Sequence, residues 1–495
     1  MKPSSAPDSS ESRKVMFNAD KEKDFSTWFS EIISKAGLAD LRYNVKGFVV
    51  FREWSVLAFN EMYALLERIL QRKGHWPVLM PALIPEENLN KEAGHVKGFV
   101  PEVFWVTEHG AGEKFEQRMA LRPTSETAFY HMYALWIRSY KDLPFKRYQR
   151  CQVWRHETNA TRPFLRSREF YWIEAHCAFQ NEQGAWSQVR EDMETTKEFM
   201  HETLGVPFIF FQRPQWDRFA GAVETFAADT LTPDGRVLQQ PSTHYLGENF
   251  SKPFNVQYVD ASGAQQYAHL TCYGPAISRI FASVIAVHGD KKGLRFPFKV
   301  APVQVVIVPF LNGVNDSKVL AYCEKLRVRL SLKFRVHTDA SETRAGEKFY
   351  FWEMKGVPFR VEVGSRELKS KKAIVFRRDS ETKKEVSLPG VERFIEKTAL
   401  DYDATLRMTA DKAFKNNTVN VSSWDELKAH ARDGKFIRAN FCSTAMNGVE
   451  CAEKIEKELG LSVRGSIPFR EEKTFGPCVA CGKPSTKVVY VGKQY

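Results

Sequence analysis

Residues 155–176 read RHETNATRPFLRSREFYWIEAH, and this stretch sets the architecture around it. Two strand-like ends flank a polar loop that holds Pro163, the pattern of a hairpin that projects arginines over a pocket. Arg155 and Arg166 are spaced for a triphosphate, because a planar guanidinium binds two phosphate oxygens at once. Glu157 can accept from an exocyclic amine, and Phe170 offers a stacking face. A lone R-x-E triplet on a solvated surface hairpin is the competing interpretation. The flanking sequence has to separate the two.

Upstream, residues 52–73 place Trp54, Leu57, Ala58, Met62, Leu65, Leu66, Ile69 and Leu70 on one helical face, and Gly74 stops the helix. From His75 to about Val300 the chain is mostly strand-like, in runs such as PVLMPALIP (77–85), FEQRMALRP (115–123) and REFYWIEAHCAF (168–179). Successive strands with a few long helices between them predict an α+β domain on an antiparallel sheet. KKGLRFPFKVAP (291–302) breaks the pattern as a linker. Beyond it, a strand at 303–309, a helix near 316–330, a strand at 333–338, a helix near 346–355 and a strand at 359–363 predict a small α/β domain with a largely parallel sheet. The last section is charged and helical before a Cys-rich tail, and is read as α+β. The expected division is a disordered leader at 1–20, then domains at 21–300, 301–398 and 399–495.

Composition bounds the function. With 72 Lys+Arg against 60 Asp+Glu, the 495-residue chain carries a net charge of +12, which favours a polyanionic partner. Hydrophobic residues at 43% and charged residues at 27% match a globular protein, so disorder is local. Eight cysteines in such a chain are no secreted disulfide framework. No run approaches the roughly 18 apolar residues of a membrane span, and MKPSSAPDSSESRK lacks a signal peptide's apolar core. The expectation is a cytoplasmic protein with no membrane partner.

The hairpin resembles motif 2 of class II aminoacyl-tRNA synthetases, with Arg155, Glu157, Arg166 and Phe170 at the family's positions. The 52–73 helix, Gly74 and WPVLMP, ending at Pro81, resemble motif 1. YGPAISRIFASVIAVHGD (273–290), carrying Arg279, resembles motif 3. The resemblance implies that Arg155 holds the ATP α-phosphate and Arg166 the γ-phosphate. Glu157 would then meet the adenine edge, with Phe170 and Arg279 sandwiching the ring. Amino-acid activation is an in-line attack of a carboxylate on the α-phosphorus, so positioning and charge neutralisation carry it, with Arg155, Arg166 and Arg279 as the catalytic cations and Mg²⁺ arriving with ATP.

Within that family, RPTSET (122–127) and the continuation through WIEAH are similar to the prolyl-specific enzymes. This implies that Thr124 and Glu126 contact the amino group of L-proline and that Trp172, Glu174 and His176 line its pocket together with Arg155. Phe179 would shape the floor, His244 would join the ring pocket, and Gln239 and Ser242 would join the ATP site. Alone, Thr124 and Glu126 would read as a helix N-cap with an acidic first turn. The chain departs from the pattern at Ser242, where Thr is usual, and at Ala276 and Ile277, where small polar residues are common. Only about ninety residues separate the motif 2 hairpin from motif 3, too few for an inserted editing domain. Specificity for threonine or glycine, or a regulatory tRNA-binding protein without catalysis, are the alternatives. The RPTSET and WIEAH elements oppose the first, and the intact arginines the second.

The α/β section resembles the anticodon-binding domain of prolyl, threonyl, histidyl and glycyl enzymes, with Glu362, Arg366 and Arg377 near strand ends as weak anticodon contacts for tRNA(Pro). In the tail, Cys442 and Cys451 form C-x8-C, and Cys478 and Cys481 form C-x2-C followed by glycine. Four thiolates in two close pairs suit a structural tetrahedral Zn²⁺. The family's zinc domain ends in a tyrosine reaching toward the active site, which Tyr495 resembles, and motif 1 implies a homodimer.

Overall fold

A computed structural model describes residues 17, 19–95, 103–157 and 161–495. The expected 1–20 leader therefore lies almost wholly outside the described residues. The rest forms two compact units. One comprises the described residues up to Asp40, then Phe51–Glu61 and Val284–Thr409; the other comprises Leu41–Val50, Met62–Ser283 and Ala410–Tyr495.

The second unit is organised by an eleven-stranded sheet. The strands Phe145–Trp154 and Glu169–Phe179 pair antiparallel through ten residues, from Phe145 opposite Ala178 to Trp154 opposite Glu169. Glu169–Phe179 pairs in turn with His269–Gly274, which pairs with Arg236–Gly247. That last strand also pairs with Glu224–Leu231, and Glu224–Leu231 with Ile209–Gln212. The interval between the hairpin and the third motif is thus occupied mainly by the helix Glu182–Thr196 and by strands of this same sheet, with a small two-stranded sheet of Gln257–Val259 and Gln265–Tyr267.

One face of the sheet is closed by the helix Glu126–Trp136, whose Phe129, Tyr130 and Tyr133 recur at helical spacing and are buried against Ala178, Leu246 and Leu270. Each such side chain contributes roughly 1.5–3 kcal/mol by leaving water. The sheet then runs on into the C-terminal strands. Lys487–Gln494 lies parallel to Arg236–Gly247, with Val237 opposite Gln494, and antiparallel to Phe436–Phe441. Phe211, Leu231, Val237, Phe436 and Tyr490 form the apolar cluster at this junction. Where Ser466 bridges Gln212, the chains approach so closely that a Cβ on Gly465, at φ +119°, would collide with the Gln212 carbonyl. The last section is thus a mixed sheet with helices, in keeping with the α+β reading.

In the other unit, Val336–Thr338, Val305–Phe310 and Phe359–Gly364 are parallel neighbours, as the alternating pattern predicts. The sheet is completed by the antiparallel strands Lys372–Arg377 and Lys383–Ser387. Its core joins Val305, Ile307, Val361 and Val363 to Val319, Leu326 and Leu330 of the helix Asp316–Leu330. The helix Glu53–Arg72 matches the predicted 52–73 segment, and Gly74 follows it in the left-handed region at φ +84°.

Candidate active site

Side chains alternate along a strand, so Phe170, Trp172, Glu174 and His176 share one face of Glu169–Phe179. Register extends this face sideways: His176 lies opposite Cys272, Cys272 opposite His244, and His244 opposite Thr225. Four strands therefore present one continuous row. Gly274 stands beside it, and a Cβ there would press within 3.3 Å of the Trp172 ring, so glycine lets the indole lie flat. Together with Thr124 and Glu126 at the start of the helix, and Gln239 and Arg279, these residues enclose a cavity of about 210 Å³.

One end of the cavity is anionic. Glu174, only 2% exposed, accepts from Ser125 Oγ at 2.5 Å, Gln149 Nε2 at 2.7 Å and the Ser125 backbone N–H at 3.2 Å, with His176 Nε2 at 3.3 Å. Burial alone would raise its pKa, but the bonds from His176, Ser125 and Gln149 outweigh burial and pull it down to about 2. Thr124 Oγ1 donates to Glu126 Oε2 at 2.5 Å, which aims the second carboxylate. Ser125 occupies the N-cap position without capping the helix, because its hydroxyl is spent on Glu174. Beside these acids, His244 Nδ1 lies 3.0 Å from Thr225 Oγ1 and Nε2 3.0 Å from Ser242 Oγ, and Phe219 packs on the ring at 4.8 Å. Burial, followed by the Arg213 charge, pushes His244 down to about 3, so the imidazole is neutral at physiological pH.

The other end is cationic. Arg155 donates from Nε to the Pro123 carbonyl at 3.0 Å and lies over Phe170 and Trp172 at 5.3 and 5.6 Å. Arg279 is oriented by its Nη1 bond to the Gln239 carbonyl at 3.3 Å. Burial and the charges of Arg155 and Arg166 draw Arg279 down to about 10, against Glu157 and Asp229, and leave it charged at neutral pH. Arg166 lies 3.6 Å from Glu157 and donates from Nη2 to the Tyr495 carbonyl oxygen at 3.2 Å, while Arg162 Nη1 meets the Tyr495 hydroxyl. Arg155 and Arg279 line the cavity and Arg166 lies close enough to act on Arg279, so the local field favours a polyanion.

Thr124, Glu126, Arg155, Trp172, Glu174, His176 and His244 all line this cavity, as do Phe170, Gln239, Ser242 and Arg279. Glu157 and Arg166 pair with each other close enough to act on Arg279. Phe179 is a correction: its odd position turns it to the opposite face, where it packs with Ala185, Val189 and Tyr245. The aromatic wall is Phe219 instead. Arg213, Asp217 and Thr225 also line the cavity and were missed. Parity along the Glu224–Leu231 strand would have flagged Thr225 only once its register to His244 was known.

In the other unit, Glu362 is buried and held by Arg360 and Lys383, and Arg377 is clasped by Asp379 at 3.0 and 2.6 Å. Arg366, on the helix Ser365–Ser370, is exposed. In the tail, the Sγ atoms of Cys442, Cys451, Cys478 and Cys481 lie within 4.8 Å of one another, and Cys442 and Cys451 are 3.6 Å apart. A zinc–thiolate tetrahedron with bonds of about 2.3 Å needs sulfurs roughly 3.8 Å apart, so the donor set fits. The turn between Cys478 and Lys483 needs Gly482 at φ +73°.

Residues 104–288 match the family model of the tRNA synthetase class II core domain (G, H, P, S and T), and residues 304–398 match the anticodon binding domain. Fold and site thus define a class II aminoacyl-tRNA synthetase. Residues 424–495 match the prolyl-tRNA synthetase C-terminal domain. The chain is 48% identical over 479 residues to a proline–tRNA ligase of Thermofilum pendens, covering 96% of this chain and 98% of that one. It is 40% identical over 475 residues to one of Methanopyrus kandleri, covering 95% and 96%. The solved Giardia lamblia prolyl-tRNA synthetase in complex with prolyl-adenylate superposes with a TM-score of 0.92 at 35% identity, over 97% of this chain and all of that one. The Cryptosporidium parvum enzyme complexed with halofuginone and AMPPNP gives 0.88 at 30% identity, over 97% and 99%. The chain belongs to the proline–tRNA ligase family.

The state of His244 is open to measurement. Its folded pKa lies below the ordinary value of about 6.5, so stability is lost as pH falls from there toward about 3, while the unfolded chain takes up a proton that the folded chain does not. Imidazole NMR signals of His244 are expected to titrate near the lower value. Titration near 6.5 would contradict the assigned environment.

Proposed function

We propose that this chain activates L-proline with ATP to prolyl-adenylate and pyrophosphate, then transfers proline to the 3′-terminal adenosine of tRNA(Pro). The observation that carries this reading is the polarity of the cavity: two aimed carboxylates, Glu126 and Glu174, at one end and the guanidiniums of Arg155 and Arg279 at the other. A secondary ammonium suits the first end and a triphosphate the second.

In this reading Thr124 and Glu126 take the proline ammonium, while Trp172, His176, His244 and Phe219 wall its ring and Glu174 braces them. The proline carboxylate is ionised at neutral pH and attacks the α-phosphorus of Mg²⁺–ATP without a general base. Arg155 neutralises charge on the α-phosphate as pyrophosphate leaves, and Arg166 holds the γ-phosphate. Glu157 accepts from the adenine amine, Phe170 and Arg279 enclose the ring, and Gln239 and Ser242 complete the nucleotide contacts. The tRNA hydroxyl then attacks the prolyl carbonyl and AMP leaves.

We assign 21–300 to catalysis, 301–398 to anticodon recognition, with Arg366 as its exposed cation and Glu362 and Arg377 needing to exchange partners, and 399–495 to a structural zinc domain. The zinc would be held by Cys442, Cys451, Cys478 and Cys481 and would fix the fold of the tail. Trp76 and Leu79, 67% and 82% exposed beside the edge strand Trp76–Pro77, support a homodimer through motif 1. Among the described residues no helix is long and apolar enough to cross a membrane, and we propose that the chain charges tRNA in the cytoplasm.

ATP–pyrophosphate exchange across all amino acids is expected to respond to proline, with weaker exchange for alanine and cysteine. Removing a methylene or two from a ligand costs only about 1–3 kcal/mol, roughly 10–200-fold. Exchange with threonine in place of proline, or with no amino acid, would overturn the assignment. For the tail, metal analysis of Cys442→Ser is expected to find reduced zinc, and an unchanged content would remove that cysteine from the site.

A further inference from the structure

Near the amino-acid end of the cavity one carboxylate carries two guanidiniums. Arg213, Asp229 and Arg464 are 2%, 0% and 1% exposed. Arg213 clasps Asp229 with Nη1 at 2.9 Å and Nη2 at 2.7 Å. Arg464 grips the same two oxygens with Nε at 2.8 Å and Nη2 at 3.2 Å, and its own carbonyl accepts from Arg213 Nη1 at 2.7 Å. Asp229 and Arg213 belong to the catalytic sheet and the turn that leaves it, whereas Arg464 comes from the C-terminal strand Ser462–Gly465.

Burying two cations on one anion costs desolvation, and apolar side chains of similar volume would join these strands of the sheet at least as well. The charges therefore point to a role in position. Arg213 lines the cavity, and its backbone N–H donates to the Thr225 carbonyl at 2.8 Å. The Thr225 hydroxyl in turn lies 3.0 Å from His244 Nδ1 and accepts from the Phe219 backbone N–H at 2.9 Å. Residue 213 is thus tied to two walls of the amino-acid pocket. Without Arg464, Asp229 loses half its donors, and Arg213 is left to swing toward Asp217, whose Oδ2 already lies 3.7 Å from its Nε.

We propose that Arg464 is a positioning residue for the amino-acid pocket, acting through Asp229 and Arg213 on Thr225, His244 and Phe219. The C-terminal module is then part of substrate recognition. This rests on the cavity being the proline site.

The test is ATP–pyrophosphate exchange by the full chain and its Arg464→Met and Arg464→Lys variants, with melting curves and metal content alongside. Arg464→Met is expected to raise the KM for proline about tenfold while the KM for ATP stays within about threefold, and Arg464→Lys to recover part of the loss. A lower melting temperature with both KM values unchanged, or an equal rise in both, overturns the proposal. If Arg464→Met fails to fold, the same split in Arg464→Lys decides: a raised proline KM supports the role and an unchanged one overturns it. If the parent chain exchanges with a different amino acid, the proline assignment falls, and the same KM split measured with that amino acid still decides the role of Arg464.

Discussion

The buried carboxylate of Glu174 is the constraint on which the site depends. An ionised acid at 2% exposure is tolerated only because donors from three places converge on it: Ser125 before the helix Glu126–Trp136, Gln149 on the partner strand, and His176 two residues along its own strand. Those bonds lock helix to sheet and strand to strand at the point where Thr124, Glu126 and His176 must be held. Removing any one donor would leave a buried charge short of partners, so each of the three contacts is needed to hold the geometry.

From that anchor the cavity acquires opposite ends. In the proposed reading, carboxylates and a neutral histidine surround the proline ring, and arginines that repel one another take the phosphates. Burial first, and then the charges of Arg155 and Arg166, lower Arg279, and an incoming polyanion would offset that repulsion. The final residue, Tyr495, meets Arg162 and Arg166 of the hairpin, and Arg464 meets Asp229, so the C-terminal module touches the site at two separate points.

Much of this was legible in the order of residues. The hairpin, the 53–72 helix, the parallel α/β strands and the four cysteines each carry a local signature, whether a period, a spacing or a terminating glycine. Residues on Glu169–Phe179 were readable because alternation is local, and the same alternation turns Phe179 to the opposite face. Phe219, Thr225 and Arg213 were not readable, because their place depends on cross-strand register and on a turn, which no short window encodes. The continuity between Arg236–Gly247 and Lys487–Gln494 joins residues some 250 positions apart in sequence and could not be inferred from either segment. Glu362 and Arg377 show a related limit: Arg360, Lys383 and Asp379 hold charges that look available in one dimension.

The most direct test of the polar cavity as a prolyl-adenylate site is calorimetric titration with non-hydrolysable sulfamoyl analogues of aminoacyl-adenylates. The account predicts that the prolyl analogue binds tightest, with the alanyl analogue weaker by roughly 10–200-fold and the threonyl analogue weaker still. Tighter binding of the threonyl or glycyl analogue, or no discrimination among them, would contradict it.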